Sequence, residues 1–311
     1  MYRIFIDGKE GTTGLRIYER IAECHDIELL LLSDEERKNA SKRQEMIHAS
    51  DITFLCLPDV AAKEAVALAA GSNAKIIDAS TAHRTLADWS YGLPEFSAAQ
   101  HARIANSSRT AVPGCHASGF IALISPLLQA GLLSKEALLS CTSLTGYSGG
   151  GKQLIAAYES PTREAGFSSP RLYALGQTHK HLKEMHAITG LALPPVFMPV
   201  LGDFYAGMLV SIPLHASMLA KKCTLQELQT VYAAHYENQP VIDVLPCSEE
   251  TAALCANALA GKDNMQLLVT GNDERICLTA RYDNLGKGAS GAAVQCMNIM
   301  LGRSETANLN L

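Results

Sequence analysis

Three short stretches of the chain combine residue types and spacings that could do chemistry. The first is Asp7–Gly14, with the sequence DGKEGTTG between a predicted strand and a predicted helix. Glycines there permit a tight turn and let a pyrophosphate approach the helix N-terminus, where free N–H groups attract anions. The spacing is not the commonest Gly-x-Gly-x-x-Gly, and a tight turn without a ligand is the alternative. The placement favours a dinucleotide site whose residues are Gly8, Gly11, Thr12, Thr13 and Gly14.

The residues after the second predicted strand bear on the adenosine end of such a dinucleotide. Ser33, Arg37 and Lys38 suit a 2′-phosphate, whereas Asp34 is the kind of acid that binds the ribose hydroxyls of NAD. A solvated loop with charges of both signs is the third interpretation. We predict NADP(H) as the cofactor, with Ser33, Arg37 and Lys38 at this end.

The second stretch is Val112–Ser118, where Cys115 follows Pro-Gly and opens an apolar predicted helix. A helix N-terminus favours the thiolate and makes a cysteine nucleophilic near neutral pH. A buried thiol at an ordinary helix start is the alternative. The other cysteines lack Cys-x-x-Cys spacing and are predicted to be packing thiols of a reducing compartment, mostly buried; they are Cys24, Cys56, Cys141, Cys223, Cys247, Cys255, Cys277 and Cys296.

The third stretch is Gly176–Glu184, which contains His179, His181 and Glu184. Histidine suits the base that a cysteine nucleophile needs, and His181 and Glu184 share a helical face at i, i+3. Two histidines one apart with a carboxylate could instead bind a metal, but there is no third convincing ligand nearby, so we predict no metal. An exposed helix start without a function is the other alternative. Together the three stretches predict hydride chemistry through a cysteine thioester, ending in an aldehyde.

The predicted elements that position these residues fall into two halves. Strands alternate with helices over the first hundred residues, which predicts a doubly wound parallel sheet with ligands at the carboxyl ends of its strands. After Pro113 the alternation is lost, which predicts a separate α+β domain; a final helix follows a glycine-rich loop. The predicted strands of the first half are Arg3–Asp7, Ile27–Leu32, Asp51–Leu57 and Lys75–Asp78, and those of the second half include Ala137–Thr145, an antiparallel block over Val196–Leu214, and Ile276–Tyr282.

Composition excludes several classes of function. The 311 residues suggest about two domains, and 48% hydrophobic and 18% charged residues are typical of a globular chain. A net charge of −5, without a basic face or a polybasic tract, predicts neither a nucleic-acid partner nor a membrane-surface partner. No apolar run has the length of a membrane span, and the N-terminus lacks a signal-peptide layout. The partner is therefore predicted to be a small-molecule substrate.

The motifs, in their order along the chain, resemble the N-acetyl-gamma-glutamyl-phosphate reductases of arginine biosynthesis, in their shorter subgroup. The longer subgroup usually has His-Arg-His-x-Pro-Glu where this chain has His179-Lys-His-Leu-Lys-Glu184. Both histidines and the glutamate are retained. The matching segments are 7–14, 54–59, 78–85, 91–95, 113–118, 148–152, 202–208 and 283–291.

The resemblance implies a role for each matching residue. Cys115 would be the nucleophile and His179 its acid–base partner, while backbone N–H groups of 148–151 would receive phosphate or an oxyanion. Ser80, near His83 and Arg84, would lie at the boundary of cofactor and substrate. The other implied substrate residues are His181, Glu184, Tyr173, Ser148, Gly149 and Gly150, and the other implied cofactor residues are Pro58, Asn284 and Gly288.

The resemblance also implies the architecture. Residues 1–114 and 286–311 would form a Rossmann-type NADP-binding domain. Residues 115–285 would form a catalytic and oligomerisation domain of the semialdehyde-dehydrogenase type. The enzyme would be cytoplasmic, and a homodimer or homotetramer.

Three alternatives compete with this interpretation. A reductase of the same architecture for another acyl phosphate, such as aspartyl phosphate, needs the same cysteine and histidine. A dinucleotide-binding regulator has no need of Cys115, His179 and His181 together. A cysteine hydrolase leaves the glycine loop of residues 8–14 without a role.

Overall fold

Thirteen strands and nine α-helices form in residues 1–246 and 253–311, the part of the chain that the computed structural model describes. The strands are β1 Tyr2–Asp7, β2 Ile27–Leu30, β3 Ile52–Leu55, β4 Lys75–Asp78, β5 Ser90–Tyr91, β6 Arg109–Ala111, β7 Ser140–Gly146, β8 Arg171–Leu172, β9 Val196–Gly202, β10 Met208–His215, β11 Ile242–Val244, β12 Met265–Gly271 and β13 Arg275–Tyr282. The helices are α1 Thr12–Ile21, α2 Ala40–Ala49, α3 Asp59–Leu68, α4 Ala98–Ala105, α5 Cys115–Gln129, α6 Gly151–Glu159, α7 His181–Thr189, α8 Leu225–His235 and α9 Gly291–Leu301. None of these helices is long and apolar enough to cross a membrane.

The chain divides into two units. The first comprises Met1–Pro113 and Ala289–Leu309, and the second comprises Gly114–Gly288 and Asn310–Leu311. The predicted fold class, a doubly wound parallel sheet with a second α+β domain, is confirmed. Cys247 lies outside the described residues.

The sheet of the first unit is parallel throughout, with strand order β2-β1-β3-β4-β6-β5. The order reverses between β1 and β3, and the carboxyl ends of these strands are where open α/β sheets bind ligands. The glycine-rich turn follows β1, so the fold places it at this edge. Strand β2 ends at Leu30 rather than at the predicted Leu32; Leu31 is more than half exposed and gains nothing from pairing inside the sheet.

Both faces of this sheet are covered, which explains its nearly continuous apolar strands. Ile4 and Ile6 point to one face and pack in a cluster with Ala292, Val294 and Met297 of α9. Phe5, between them, points to the other face, where residues of α2 and α3 cover it. Alternation of side chains along β1 therefore divides the core between two layers.

A buried ion pair anchors the start of the glycine-rich turn. Asp7, the last residue of β1, is buried, and its Oδ2 lies 2.9 Å from Nε and 2.8 Å from Nη2 of Arg43 on α2. Burial raises the pKa of Asp7 above its usual value, although the hydrogen bond and charge of Arg43 act in the opposite direction. The pair ties α2 to the residue from which the turn departs.

The second unit contains a mixed sheet with strand order β11-β12-β13-β10-β7-β9-β8. Strands β7 and β9 are parallel, as are β11 and β12, so the predicted antiparallel block over Val196–Leu214 is only part of a mixed arrangement. Helix α5 packs on this sheet and is buried from His116 to Leu127. It is the most buried part of the second unit and carries Cys115 at its first position.

Pro126 lies inside α5 and has no N–H to donate to the carbonyl of Ala122. The hydroxyl of Tyr236 donates to that carbonyl at 2.7 Å, and the hydroxyl of Tyr232 on α8 donates to the carbonyl of Leu123. A buried backbone oxygen that the proline leaves free is thus satisfied by a side chain. These bonds fix α5 against α8.

Replacing Arg43 tests the anchor at the end of β1. Arg43→Met leaves Asp7 buried without its counter-charge, which should lower the free energy of unfolding by about 3–5 kcal/mol. Urea unfolding followed by circular dichroism measures this change. The exposed pair Arg16–Glu19 provides the control, because Arg16→Met should change stability by less than about 0.5 kcal/mol. Equal effects of the two substitutions would contradict the assigned role of Arg43.

Candidate active site

Cys115 is the first residue of α5, and the end of the helix around it is uncapped. Its N-cap is Gly114, which offers no side chain, and the first turn contains no acidic residue. The backbone N–H groups of His116 and Ala117 meet no acceptor in the described parts of the chain. A helix N-terminus with free N–H groups is the kind of environment that favours negative charge on a sulfur at its first position.

Tyr282, at the end of β13, holds the first turn of α5. Its hydroxyl accepts a hydrogen bond from the N–H of Gly119 and donates one to the carbonyl of Cys115, two groups that would bond directly in a regular helix. A Cβ at position 119 would lie 2.7 Å from that hydroxyl. The sequence analysis did not find Tyr282, although a glycine inside an apolar helix indicates a close approach.

Gly288 also makes room at the cysteine. A Cβ at position 288 would lie 3.0 Å from the Cβ of Cys115, so any larger residue crowds the thiol. The sequence predicted a cofactor role for Gly288; within the second unit its observed contact is with Cys115.

Glu184 binds the chain immediately before Cys115. It is buried on α7, and its Oε2 accepts the backbone N–H of Gly114 at 3.0 Å. Its Oε1 lies 3.9 Å from Nε2 of His181, one turn earlier on the same helix. The predicted i, i+3 face therefore exists, but both side chains are buried rather than at an exposed helix start.

Several aromatic rings gather beside Cys115. The ring of His179 lies edge-on to that of His181, with centroids 4.7 Å apart, and His179 Nδ1 accepts the backbone N–H of His181 at 3.1 Å. His116 lies against both, at 5.3 and 5.4 Å. Phe197 and Tyr173 complete the group.

His116 is buried at the centre of this group, and both of its ring nitrogens bind hydroxyl groups. Nδ1 lies 2.7 Å from Oγ of Ser143, and Nε2 lies 2.7 Å from the hydroxyl of Tyr173. Burial, followed by the electrostatic effects of His179 and Lys180, lowers the pKa of His116 to about 3. His116 is therefore neutral at physiological pH. His116 was not among the predicted site residues, and in the sequence it stands out only as a neighbour of Cys115.

A thiol and two imidazoles lie close together here: the ligand atoms of Cys115, His116 and His181 are all within 4.8 Å of one another. A metal ion could bind either nitrogen of His116 only by displacing a hydroxyl group, because each nitrogen is already hydrogen bonded. The donor set thus fits thiol–imidazole chemistry better than coordination of a metal.

The glycine-rich loop after β7 is held from behind. Asn284 donates from Nδ2 to Oγ of Ser148 at 3.0 Å and accepts the N–H of Gly207 at 2.9 Å. The backbone N–H of Ser148 donates to the carbonyl of Tyr205, so it is not available for the predicted phosphate or oxyanion. Gly149 and Gly150 are the exposed members of the loop.

In the first unit, the turn of residues 8–14 has the geometry that a bound nucleotide needs. Gly8 adopts a φ of +88°, and a Cβ at Gly14 would lie 2.5 Å from the carbonyl oxygen of Gly8. Over residues 1–246 and 253–311, no group accepts the N–H of Thr12, Thr13 or Gly14, and no acid lies in the first turn of α1. This free helix N-terminus fits the pyrophosphate of a dinucleotide.

The loop after β2 carries charges of both signs. Arg37 Nη1 lies 3.6 Å from Oδ1 of Asp34, with both side chains exposed. The hydroxyl of Ser33 donates to Glu36 at 3.0 Å, and Lys38 is exposed. Two cations are thus accessible at the position predicted for a 2′-phosphate.

Asp78, at the carboxyl end of β4, organises the segment that follows. It is fully buried and accepts hydrogen bonds from the N–H and hydroxyl of Ser80, and its Oδ2 lies 2.6 Å from Nδ1 of His83. The ring of His83 stacks on Trp89, while Arg84 donates to the carbonyl of Ala79. Ser80 is therefore bonded within its own turn. Pro58, another predicted cofactor residue, is the N-cap of α3, directly after β3.

The cysteines are less buried than the sequence predicted. In the described parts of the chain Cys141, Cys223 and Cys296 are buried and Cys255 is exposed. The remaining ones are intermediate, and none of those described forms a disulfide.

Comparisons with known proteins identify the class first. Residues 3–104 match the model of the semialdehyde dehydrogenase NAD binding domain, and residues 115–284 match that of the semialdehyde dehydrogenase dimerisation domain. Two solved structures share the fold: aspartate semialdehyde dehydrogenase II from Vibrio cholerae (TM-score 0.74, 17% identity, covering 97% of this chain and 98% of that one) and the enzyme from Francisella tularensis (TM-score 0.74, 16% identity, covering 97% and 100%).

Relatives with curated names are more similar in sequence. An N-acetyl-gamma-glutamyl-phosphate reductase 2 from a Nostoc species is 44% identical over 99% of both chains. Proteins named N-acetyl-gamma-glutamyl-phosphate reductase from Sinorhizobium fredii (45% identical, 96% of this chain and 98% of the other) and Brucella suis (46%, 97% and 99%) match similarly. The chain belongs to the family of N-acetyl-gamma-glutamyl-phosphate reductases.

The buried neutral His116 should make stability depend on pH. Its pKa of about 3 lies below the ordinary value of 6.5, so between these values the unfolded state binds a proton that the native state does not. The contribution of His116 to the free energy of unfolding is fully present above about pH 6.5 and falls by about 1.4 kcal/mol per pH unit below it. The His116→Gln variant should lack this slope. Urea unfolding of both proteins between about pH 7.5 and pH 5 measures it; a difference that stays constant with pH would contradict the prediction.

Proposed function

We propose that this oxidoreductase reduces N-acetyl-glutamyl 5-phosphate to N-acetyl-glutamate 5-semialdehyde and releases phosphate, with NADPH as the reductant, in L-arginine biosynthesis. The observation that carries the proposal is Cys115 at an uncapped helix N-terminus, with a ring nitrogen of His181 within 4.8 Å of its sulfur. The names of relatives that are 44–46% identical over nearly their whole length support the same reaction.

Cys115 is the proposed nucleophile. Its sulfur attacks the acyl carbon; the C–S bond forms, the C–O bond to phosphate breaks, and phosphate leaves with the electron pair. The chemistry that a nicotinamide cofactor would supply, when held by the glycine turn of residues 8–14, is the hydride that reduces the acyl carbon of the resulting thioester. The thiohemiacetal on Cys115 then collapses, which breaks the C–S bond, forms the aldehyde and returns the electron pair to sulfur. The helix N-terminus stabilises the thiolate at both ends of the cycle.

His179 is the proposed acid–base residue. Because its Nδ1 accepts the N–H of His181, the neutral ring carries its proton on Nε2 and can donate it to a leaving group or to a developing oxyanion. Acceptance of the thiol proton needs a ring nitrogen with a lone pair near sulfur, and His181 has a ring nitrogen within 4.8 Å of the Cys115 sulfur. Separate substitution of His179 and His181 therefore distinguishes the two roles.

His181, Glu184, Tyr173, Ser148, Gly149 and Gly150 are the proposed substrate residues. For Glu184 the bond to the N–H of Gly114 supports a second effect, which is to hold the backbone beside the nucleophile. The exposure of Gly149 and Gly150 supports a place at the substrate surface, whereas Ser148 is buried and bonded to Asn284.

NADP(H) is the proposed form of the nicotinamide cofactor. The free N–H groups of Thr12, Thr13 and Gly14, together with Gly8 and Gly11, suit the pyrophosphate. Ser33, Arg37 and Lys38 are proposed to hold the 2′-phosphate, and the exposure of the two cations supports this assignment. Pro58, Ser80, Asn284 and Gly288 complete the proposed cofactor residues.

Residues 1–114 with 286–311 are proposed as the NADP-binding domain, and 115–285 as the catalytic and oligomerisation domain. We further propose a cytoplasmic homodimer or homotetramer. The match of residues 115–284 to a dimerisation domain supports self-association.

The reverse reaction tests the proposed function. Purified protein is mixed with N-acetyl-glutamate 5-semialdehyde, phosphate and NADP⁺, and NADPH formation is followed by absorbance. We expect phosphate-dependent turnover that Cys115→Ser abolishes, while Cys277→Ser, a partly buried cysteine on β13, retains it. Turnover only with aspartate semialdehyde would keep the mechanism and replace the substrate. NADPH binding without any turnover would favour the regulator.

The acid–base assignment is tested by two substitutions. His179→Asn should lower the turnover rate by about 10²–10⁴-fold and remove one limb of the pH–rate profile, because a positioned proton donor is lost. His186→Asn, on the same helix as His181, is the control. A His179→Asn variant with an unchanged pH–rate profile, together with a His181→Asn variant whose profile has lost the limb, would transfer the role to His181.

Cofactor selectivity tests the loop after β2. Arg37→Ala combined with Lys38→Ala should raise the KM for NADPH more than the KM for NADH, because only NADPH carries the 2′-phosphate. Lys42→Ala combined with Lys63→Ala removes a partly exposed lysine of α2 and an exposed lysine of α3 and serves as the control. Equal effects of the Arg37 and Lys38 substitutions on both cofactors would remove the 2′-phosphate assignment.

A further inference from the structure

The chain of hydrogen bonds through His116 determines which of its nitrogens carries the proton. Ser143 is fully buried on β7, and its hydroxyl makes one hydrogen bond within the described residues, to Nδ1 of His116. A buried hydroxyl hydrogen without an acceptor costs free energy, so the Ser143 hydroxyl should donate to Nδ1. Nδ1 then has the lone pair, and the proton of the neutral ring is on Nε2.

The consequence reaches Tyr173. With the proton on Nε2, His116 donates to the oxygen of Tyr173 rather than accepting from it. The hydroxyl hydrogen of Tyr173 then has no acceptor in residues 1–246 and 253–311, but this residue is partly exposed and its hydroxyl can bond to a ligand. The opposite tautomer would satisfy Tyr173 and leave the hydrogen of Ser143 buried without a partner.

The hydroxyl of Tyr173 lies 2.7 Å from Nε2 of His116, the residue next to Cys115. A ring nitrogen of His116 lies within 4.8 Å of the Cys115 sulfur. Burial and the negative charge of Cys115 both raise the pKa of Tyr173, so its phenol remains protonated. The other titratable groups around His116 are His179, His181 and Lys180.

We propose that His116 is a positioning residue which, as the Nε2–H tautomer set by Ser143, directs the hydroxyl hydrogen of Tyr173 toward an oxygen of the acyl substrate on Cys115. Tyr173 is then a hydrogen-bond donor to substrate, and Ser143 acts only through His116. This inference rests on the proposed function for the identity of the substrate. It specifies which ring nitrogen of His116 carries the proton, a point that the proposed reaction does not determine.

The tautomer is measured directly and without activity. Long-range ¹H–¹⁵N NMR of protein labelled with ¹⁵N-histidine distinguishes Nε2–H from Nδ1–H, and the His116→Gln variant assigns the signal. We expect Nε2–H with no titration between about pH 5 and about pH 9. An Nδ1–H signal, or titration in this range, would overturn the proposal. The NMR measurement needs no turnover of an acyl phosphate. It therefore distinguishes failure of this proposal from failure of the proposed function.

Two matched substitutions test the positioning role in turnover. The amide nitrogen of Gln can occupy the place of Nε2 and donate to Tyr173, whereas Asn reaches only the place of Nδ1. His116→Gln should therefore retain more of kcat/KM than His116→Asn, which should lose about as much as Tyr173→Phe, roughly tenfold. In the Tyr173→Phe background, His116→Asn should have little further effect.

Ser143→Ala should lower kcat/KM, as His116→Asn does. Ser143→Thr, which restores a hydroxyl, should recover kcat/KM. Ser125→Ala is the control, because the buried hydroxyl of Ser125 on α5 has no hydrogen-bond partner in the described chain. Equal losses in His116→Gln and His116→Asn, or an unchanged kcat/KM in Tyr173→Phe, would overturn the proposal.

Discussion

The first turn of α5 leaves the N–H groups of His116 and Ala117 without an acceptor among residues 1–246 and 253–311, while the rest of the helix is buried. In the same part of the chain no side chain caps this helix, yet Glu184 binds the N–H of Gly114 and Tyr282 holds the turn through Gly119 and the carbonyl of Cys115. The helix end is thus fixed by groups beside it rather than by a capping residue that would occupy the anion-binding position. The small residues at 119 and 288 follow from the same need, because a Cβ at either position meets these neighbours.

The imidazoles beside Cys115 do not have equivalent environments. His116 is buried, with both nitrogens bonded to hydroxyl groups, and its pKa is lowered to about 3. His179 accepts a backbone N–H through Nδ1, and His181 lies nearer a carboxylate. Because their partners differ, the three imidazoles differ in which nitrogen carries a proton and in how easily that proton is exchanged. One cluster can therefore contain both fixed and exchanging protons.

The same separation of anchoring and binding groups occurs in the first unit. Asp7 ends β1 and Asp78 ends β4, the two strands on either side of β3. Both carboxylates are buried and hydrogen bonded, to Arg43 in one case and to Ser80 and His83 in the other. Within the described parts of the chain, the N–H groups of Thr12, Thr13 and Gly14 have no acceptor. Buried carboxylates thus shape the turns at the carboxyl edge of the sheet, and these backbone groups stay free to bind the pyrophosphate of the proposed cofactor.

The sequence by itself determined the parallel sheet, the glycine turn after β1 and the placement of Cys115 at the start of α5, because these depend on local patterns of apolar residues, glycine and proline. It also determined the family, since its motifs occur in order along nearly the whole chain. Only the tertiary structure decided that Arg43 pairs with Asp7, that Tyr282 enters the first turn of α5, and that His116 joins Ser143 to Tyr173. Those partners are separated by 36, 163, 27 and 57 positions, and no local pattern encodes such pairings. Their bonds form only when packing removes the side chains from water and makes each unsatisfied donor costly.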